Sequence, residues 1–250
     1  MVYSKLSPSF VSGLKRGLMS NKEIIVALDF DSPMPALELV DKLDPDLCRV
    51  KVGKELFTAS GPGLVQEIIS RKFDVFLDLK FHDIPNTVAN SVKVAADLGV
   101  WMVNVHTSGG AMMMESAKEA LSSYGGESPL LVGVTVLTSL TKQDLMLIGI
   151  EKNLQEQVLS LALLAKNSGL DGVVCSAEET KKLRSIIPRD FCLVTPGIRR
   201  PEDPRNDQKR TVGPREAMLN GSDYLVVGRP ITLADSPASM LSEFNLAIAP

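Results

Sequence analysis

Val75-Phe76-Leu77-Asp78-Leu79-Lys80-Phe81-His82-Asp83-Ile84-Pro85-Asn86-Thr87 is the most informative stretch of the chain. Strand side chains alternate with period two, so Val75, Leu77 and Leu79 share one face and Asp78 and Lys80 the other. Asp83 falls just past the strand end, and Ile-Pro opens a helical pattern. An apolar face packed on helices would aim the Asp-Lys pair the opposite way, toward an open strand end.

Seven further runs share this grammar. Short apolar, β-branched segments recur at Ile24–Leu28, Arg49–Val52, Met102–Val105, Leu131–Val136, Gly172–Cys175, Phe191–Thr195 and Tyr224–Val227. Stretches with helical spacing lie between them, including Pro35–Leu43, Thr87–Leu98, Leu154–Ser168 and Ala177–Ile187. No sequence repeat accompanies this alternation. Eight strand–helix units in 250 residues fit a single (β/α)8 TIM barrel, an α/β fold with its active site at the C-terminal ends of the strands. A doubly wound open sheet is the main competitor, but no G-x-G-x-x-G follows the first run. Length alone permits one domain or two. No composition shift marks a linker, so one barrel is expected over residues 23–250. Residues 1–22 are expected as a leader, loose or helical, since they lack the continuous apolar stretch of a signal peptide.

Composition excludes several classes. The residues are 44% hydrophobic, enough for a large core, with net charge −3 and a pI near 5.5. That balance does not suggest a nucleic-acid or membrane-surface protein. No run of about 20 apolar residues could span a bilayer. Cys48, Cys175 and Cys192 are odd in number and far apart, matching neither a disulfide framework nor a zinc site. They are expected as small apolar side chains in or beside strands, in a protein of the reducing cytoplasm. With two histidines, His82 and His106, a histidine-rich metal site is not expected.

Polar residues at strand ends are then the ones to weigh. Asp29, Lys51, Asp78, Lys80, Asn104, His106, Thr138, Thr195 and Arg229 all end strands. Lys51, Asp78, Lys80 and Asp83 could converge as two cations and two anions. The ordinary alternative is ion pairing, with Asp83 capping the next helix. Four charges buried together merely for stability are seldom favourable. For His82 and His106 a structural role outranks a catalytic one. After strands seven and eight come Thr195-Pro196-Gly197-Ile198-Arg199 and Gly228-Arg229, where such barrels commonly bind phosphate. Gly228 allows close backbone approach and Arg229 offers a bidentate guanidinium. The polar, proline-containing segment 199–211 is either a solvated loop or a lid.

Seven segments together resemble the orotidine 5'-phosphate decarboxylase family, in its bacterial type. They are Val26-Ala27-Leu28-Asp29, Lys51-Val52-Gly53-Lys54-Glu55-Leu56-Phe57, Phe76-Leu77-Asp78 through Thr87, Val103-Asn104-Val105-His106, Val134-Thr135-Val136-Leu137-Thr138-Ser139, Val194-Thr195-Pro196-Gly197-Ile198-Arg199 and Val227-Gly228-Arg229-Pro230-Ile231-Thr232. They occur in family order from the first strand to the eighth. The resemblance implies decarboxylation of orotidine 5'-phosphate to UMP in de novo pyrimidine biosynthesis, without metal or organic cofactor. It implies that Lys80 protonates a C6 carbanion, with Asp78 beside the substrate carboxylate. Asp29 and Lys51 would hold ribose hydroxyls. Asp83 and Thr87 would reach the neighbouring subunit's site, making a homodimer with shared active sites. Thr138 and Ser139 would border the pyrimidine. Gln208, Gly228 and Arg229 would bind phosphate, and Arg199 would begin the closing loop. The rival enzymatic reading is a related barrel that uses Asp-x-Lys-x-x-Asp with Mg2+, such as hexulose-phosphate synthase or keto-gulonate-phosphate decarboxylase. Lys51 and Lys80 argue against a required cation. A non-enzymatic nucleotide-binding barrel is the remaining alternative.

Overall fold

A computed structural model describes residues 22–203 and 212–249. The leader, apart from Lys22, and Gln208 lie outside these residues. Eight parallel strands close into a barrel in sequence order, β1 pairing with both β2 and β8. They are β1 (Ile24–Leu28), β2 (Arg49–Gly53), β3 (Val75–Phe81), β4 (Met102–His106), β5 (Leu130–Val134), β6 (Gly172–Val174), β7 (Cys192–Thr195) and β8 (Tyr224–Val227). Between them run α1 (Pro33–Val40), α2 (Lys54–Ser60), α3 (Pro62–Ser70), α4 (Pro85–Asp97), α5 (Ala111–Ala120), α6 (Lys142–Leu147), α7 (Leu154–Asn167), α8 (Ala177–Arg184) and α9 (Pro214–Leu219). After β8 follow the short α10 (Arg229–Thr232) and the longer α11 (Pro237–Ile248). Two 3-10 turns, Thr107–Gly109 and Ser122–Glu127, flank α5.

The helices confirm the expected positions with shifted ends. α1 begins at Pro33 rather than Pro35 because Ser32 is extended and proline suits the first helical turn. α4 begins at Pro85 for the same reason. α7 starts as expected, with Asn153 and Glu156 forming a reciprocal capping box. α8 stops at Arg184, and the N–H groups of Ile186 and Ile187 both donate to Leu183 O just beyond it.

Burial divides the apolar residues as a barrel requires. Val75 and Leu77 join an outer cluster between strands and helices, with Leu79 packed against it. Ile25, Ala27, Phe76, Met102, Val132, Cys192, Val194 and Val226 form a separate inner cluster filling the barrel. Phe76 is 1% exposed, and a Phe76→Ala truncation would cost about 3–5 kcal/mol. β6 and β7 approach so closely at Gly172 that an added Cβ would clash with Cys192 O and Sγ. All three cysteines are free and buried.

Below the inner cluster the barrel is plugged by Arg49. Its guanidinium lies 4.1 Å from the Trp101 ring centroid and 5.4 Å from that of Tyr224, with Nε 3.3 Å from Asp74. Aromatic faces and one carboxylate thus hold a 7%-exposed cation. Among the described residues no helix is long and apolar enough to cross a membrane.

Candidate active site

Lys51 is two residues after Arg49 on β2, so its side chain enters the barrel at the opposite end. Period two makes one strand supply both the plug and the site. At the C-terminal mouth a pocket of about 220 Å³ is lined by Asp29, Lys51, Gly53, Lys54, Asp78 and Lys80, together with Leu28, Glu55 and Leu56.

Its charges alternate in a chain. Lys51 Nζ donates to Asp29 Oδ1 at 2.9 Å and lies 3.5 Å from Asp78 Oδ2. Lys80 Nζ donates to Asp78 Oδ1 at 2.7 Å. Each lysine therefore uses a different oxygen of one carboxylate. Asp78 and Lys51 are nearly enclosed, Lys80 is partly open to the pocket, and the Asp29 side chain is 65% exposed. Burial alone would lower the Lys51 pKa, but Asp78 and Asp29 outweigh it and hold the value above the ordinary one. Lys51 is accordingly a fixed cation near neutral pH.

Lys80 does not sit on a regular strand, contrary to the uniform alternation expected there. The β3–β4 register runs Phe76↔Met102 and Leu77↔Val103, then shifts and resumes at Phe81↔Val105. Four positions on β3 thus face two on β4, a bulge. Within it Lys80 has φ +53°, in the left-handed region that costs most non-glycine residues on the order of 1 kcal/mol or more. Asn104 on β4, fully buried, bonds to both Asp78 and Lys80 here. Sequence reasoning marked Asn104 as polar at a strand end but did not place it in the site. The signal was its position opposite Asp78 and Lys80.

His106 lies beside His82, ring centroids 5.6 Å apart. Burial, then His82, Lys54 and Lys80, push its pKa down to about 4 against a smaller opposing effect of Asp78. It is neutral at pH 7, an uncharged wall beside the lysines.

The other expected site residues are spread along the same rim. Asp83 is exposed and does not cap α4: Ile84 takes the N-cap position, and Asp83 Oδ1 accepts the adjoining Ile84 N–H at 2.6 Å. Thr87 is exposed on the first turn of α4. Neither lines the pocket of its own chain. Thr138 and Ser139 form a turn after β5, half-buried and exposed respectively. Arg199 is 7% exposed, with Nη1 donating to Ile198 O at 2.8 Å. Its N–H donates to Val212 O, and Ile198 bridges Val212, so the two ends of the intervening segment are tied together. Gly228 directly follows β8 and is the N-cap residue of α10. A Cβ added there would stand 3.7 Å from both Ala27 Cβ and Asp29 Oδ2. The Gly228-Arg229 corner is therefore next to the Asp29 end of the charge chain. Among the described residues no group of three or more His, Cys, Asp or Glu is arranged to hold a metal ion.

Comparison with known proteins agrees with the barrel fold. A family model, Orotidine 5'-phosphate decarboxylase / HUMPS family, matches residues 22–244. A protein from Aliivibrio fischeri named orotidine 5'-phosphate decarboxylase is 56% identical over 231 residues, covering 92% of this chain and 99% of that one. One of the same name from Vibrio cholerae is 56% identical over 230 residues, covering 92% and 100%. The crystal structure of orotidine 5'-phosphate decarboxylase from Lactobacillus acidophilus superposes with a TM-score of 0.83 at 40% identity, covering 92% of this chain and all of that one. The closed barrel, its rim and the matched length lead to one conclusion: this chain belongs to the orotidine 5'-phosphate decarboxylase / HUMPS family.

Proposed function

We propose that this protein decarboxylates orotidine 5'-phosphate to UMP, a step of de novo pyrimidine biosynthesis in the cytoplasm, with no metal or organic cofactor. The observation that carries this reading is the alternating chain Asp29–Lys51–Asp78–Lys80 at the barrel mouth. The family's double name covers more than one activity, and the relatives' names favour this one.

When the C6–carboxylate bond breaks, CO2 leaves and the electron pair stays on C6. The pair occupies an in-plane orbital that ring resonance cannot absorb. A fixed ammonium beside C6 stabilises that charge and then transfers its proton to C6. Lys80 takes this role, and solvent afterwards reprotonates it. Asp78 pairs with the Lys80 ammonium and sits beside the substrate carboxylate, where repulsion contributes a minor share. Asp29 and Lys51 hold the ribose hydroxyls. Gly228 and Arg229 grip the phosphate with Gln208, which lies outside the described residues. Arg199 anchors the base of the closing segment. Thr138 and Ser139 border the pyrimidine.

Asp83 and Thr87 complete the site of a second subunit. Their exposure, and the 66% exposure of Ile84 between them, supports a homodimer that shares its active sites. Barriers of this kind need lowering by about 23 kcal/mol for a 10^17-fold acceleration. One lysine cannot supply that, so the charge chain, the closed site and the phosphate grip act together.

A Mg2+-dependent reaction through an enediolate is the rival. It is disfavoured because both lysines already neutralise the carboxylates a cation would need. One assay tests the assignment: purified protein, orotidine 5'-phosphate, excess EDTA, and ultraviolet absorbance over time. Full turnover is expected. Loss of activity restored by Mg2+ would favour the rival.

A further inference from the structure

The pair that the proposed chemistry needs, Asp78 and Lys80, is held by a third residue that has no charge. Asn104 is 0% exposed on β4. Its Nδ2 donates to Asp78 Oδ1 at 2.6 Å, and its Oδ1 accepts the backbone N–H of Lys80 at 2.7 Å. The orientation of the amide follows from chemistry. A backbone N–H can only donate, so the oxygen must face Lys80. The nitrogen then faces the carboxylate, which can only accept when ionised.

The two bonds fall at the bulge. Between Leu77 and Phe81 the β3–β4 ladder is shifted, and Lys80 is in the left-handed region. Asn104 Oδ1 receives the Lys80 N–H within that break. The same side chain fixes the oxygen of Asp78 that Lys80 Nζ contacts at 2.7 Å. Asn104 thus sets both ends of the pair: the strained backbone that launches the lysine and the carboxylate that receives it. Leucine could do neither, and aspartate could accept but not donate while ionised.

We propose that Asn104 is a positioning residue for the proton-donating lysine, holding Lys80 and Asp78 in the geometry of reaction without touching substrate. The inference rests on decarboxylation in this pocket. It predicts a defect in turnover and not in nucleotide affinity, because the ribose and phosphate contacts lie on other strands.

The test uses the full-length protein with orotidine 5'-phosphate, measuring kcat, KM, UMP inhibition and thermal melting for wild type, Asn104→Ala and Asn104→Asp. For Asn104→Ala, kcat should fall on the order of 10^2-fold, the penalty of a small misplacement of reacting groups. KM and the UMP inhibition constant should stay within about threefold, the margin left by contacts on other strands. Asn104→Asp keeps the acceptor for Lys80 but sets a second carboxylate against Asp78. The charged groups of this network are Asp78 and Lys80 on β3, Lys51 on β2 and Asp29 just past β1; the titratable but neutral His106 is on β4 itself. Like-charge proximity should raise the apparent pKa of the carboxylate pair. Once protonated, the introduced carboxyl group would restore both the donor and the acceptor. The kcat of Asn104→Asp relative to wild type should therefore rise as pH is lowered from 8 toward 5.

An Asn104→Ala protein that turns over like wild type would overturn the proposal. So would variants whose UMP affinity falls in step with kcat, which marks a general loss of structure. If Asn104→Ala does not fold, the Asn104→Asp ratio decides, and a ratio flat with pH overturns the proposal. An inactive wild type would instead strike the assigned reaction, so the two failures are distinguishable.

Discussion

Lys51 and Asp78 face each other at 3.5 Å from adjacent strands, and Asp78 turns its other oxygen to Lys80. Lys51 is therefore what permits two carboxylates, Asp29 and Asp78, to flank one pocket. Lys51→Met keeps the side-chain length and removes the charge. Breaking a fully buried pair costs about 3–5 kcal/mol, and the exposure of Asp29 should bring this nearer about 2 kcal/mol. Catalytic efficiency should fall by on the order of 10^2-fold or more, because the developing charge loses a preorganised cation. Urea unfolding and kcat/KM measure the two effects separately. Because the folded pKa of Lys51 is raised, its stabilisation is fully present below the unfolded value and is lost only as pH rises through the folded one. Between pH 6 and 9 the difference between Lys51→Met and wild type in urea should be flat; a difference that shrank across that range would contradict the fixed-cation reading.

His106 gives a pH dependence on the acid side. Its folded pKa, about 4, is below the ordinary 6.5. Unfolded chains thus bind a proton that the folded site resists. Stability attached to His106 is full above pH 6.5 and falls as pH drops toward 4. Solvent screening of the partly buried ring limits the loss to about 1–2 kcal/mol. His106→Gln should lose less melting temperature than wild type between pH 7 and 4.5. Parallel melting curves for the two proteins would show that His106 is not held neutral.

The barrel was legible because parallel strands covered on both sides read as continuous apolar runs, and all eight were found near their observed positions. Lys51, Asp78 and Lys80 were legible as a converging set because charge at the end of such a run has few structural uses, but Asp83, expected to join them, is exposed outside the pocket, and Asp29 is the second carboxylate of the charge chain instead. Helix ends were less so, since Pro33 and Pro85 open helices two residues before the periodic pattern becomes visible. The kink at Lys80 was hidden: nothing in a lysine announces a positive φ, and only the three-dimensional position of Asn104 reveals what holds it. Arg49 was equally opaque. One cation two residues from another on a strand could belong to either end, and Trp101 and Tyr224, far away in sequence, place it at the base.

Shared active sites predict complementation. Asp83→Ala and Lys80→Ala should each be nearly inactive alone. In a heterodimer of the two, one site has both lesions and the other has none. Random exchange in an equal mixture makes about half the dimers hybrid, so activity should return to about a quarter of the wild-type level. Exchange can be verified with differently tagged subunits. Proven exchange with no recovery would mean that Asp83 serves its own chain's site or none.

The remote phosphate offers the sharpest test of how binding and turnover are linked. Arg229 opens α10 directly after Gly228, and Gly228 stands beside Asp29. A guanidinium there can hold a phosphate whose nucleoside extends over the charge chain. If the contact merely anchored substrate, Arg229→Ala would raise KM and leave kcat unchanged. Phosphate binding should instead contribute part of its energy to assembly of the site. Arg229→Ala should therefore lose roughly 10^2-fold in kcat/KM, on the order of 3 kcal/mol, with part of the loss in kcat. Orotidine without its phosphate should react poorly with wild type and be partly rescued by free phosphite. Without phosphite, Arg229→Ala should treat orotidine as wild type does, because the substrate then lacks the group that the arginine would contact. A variant equally damaging to both substrates would make Arg229 a structural residue and move the phosphate site elsewhere on the rim.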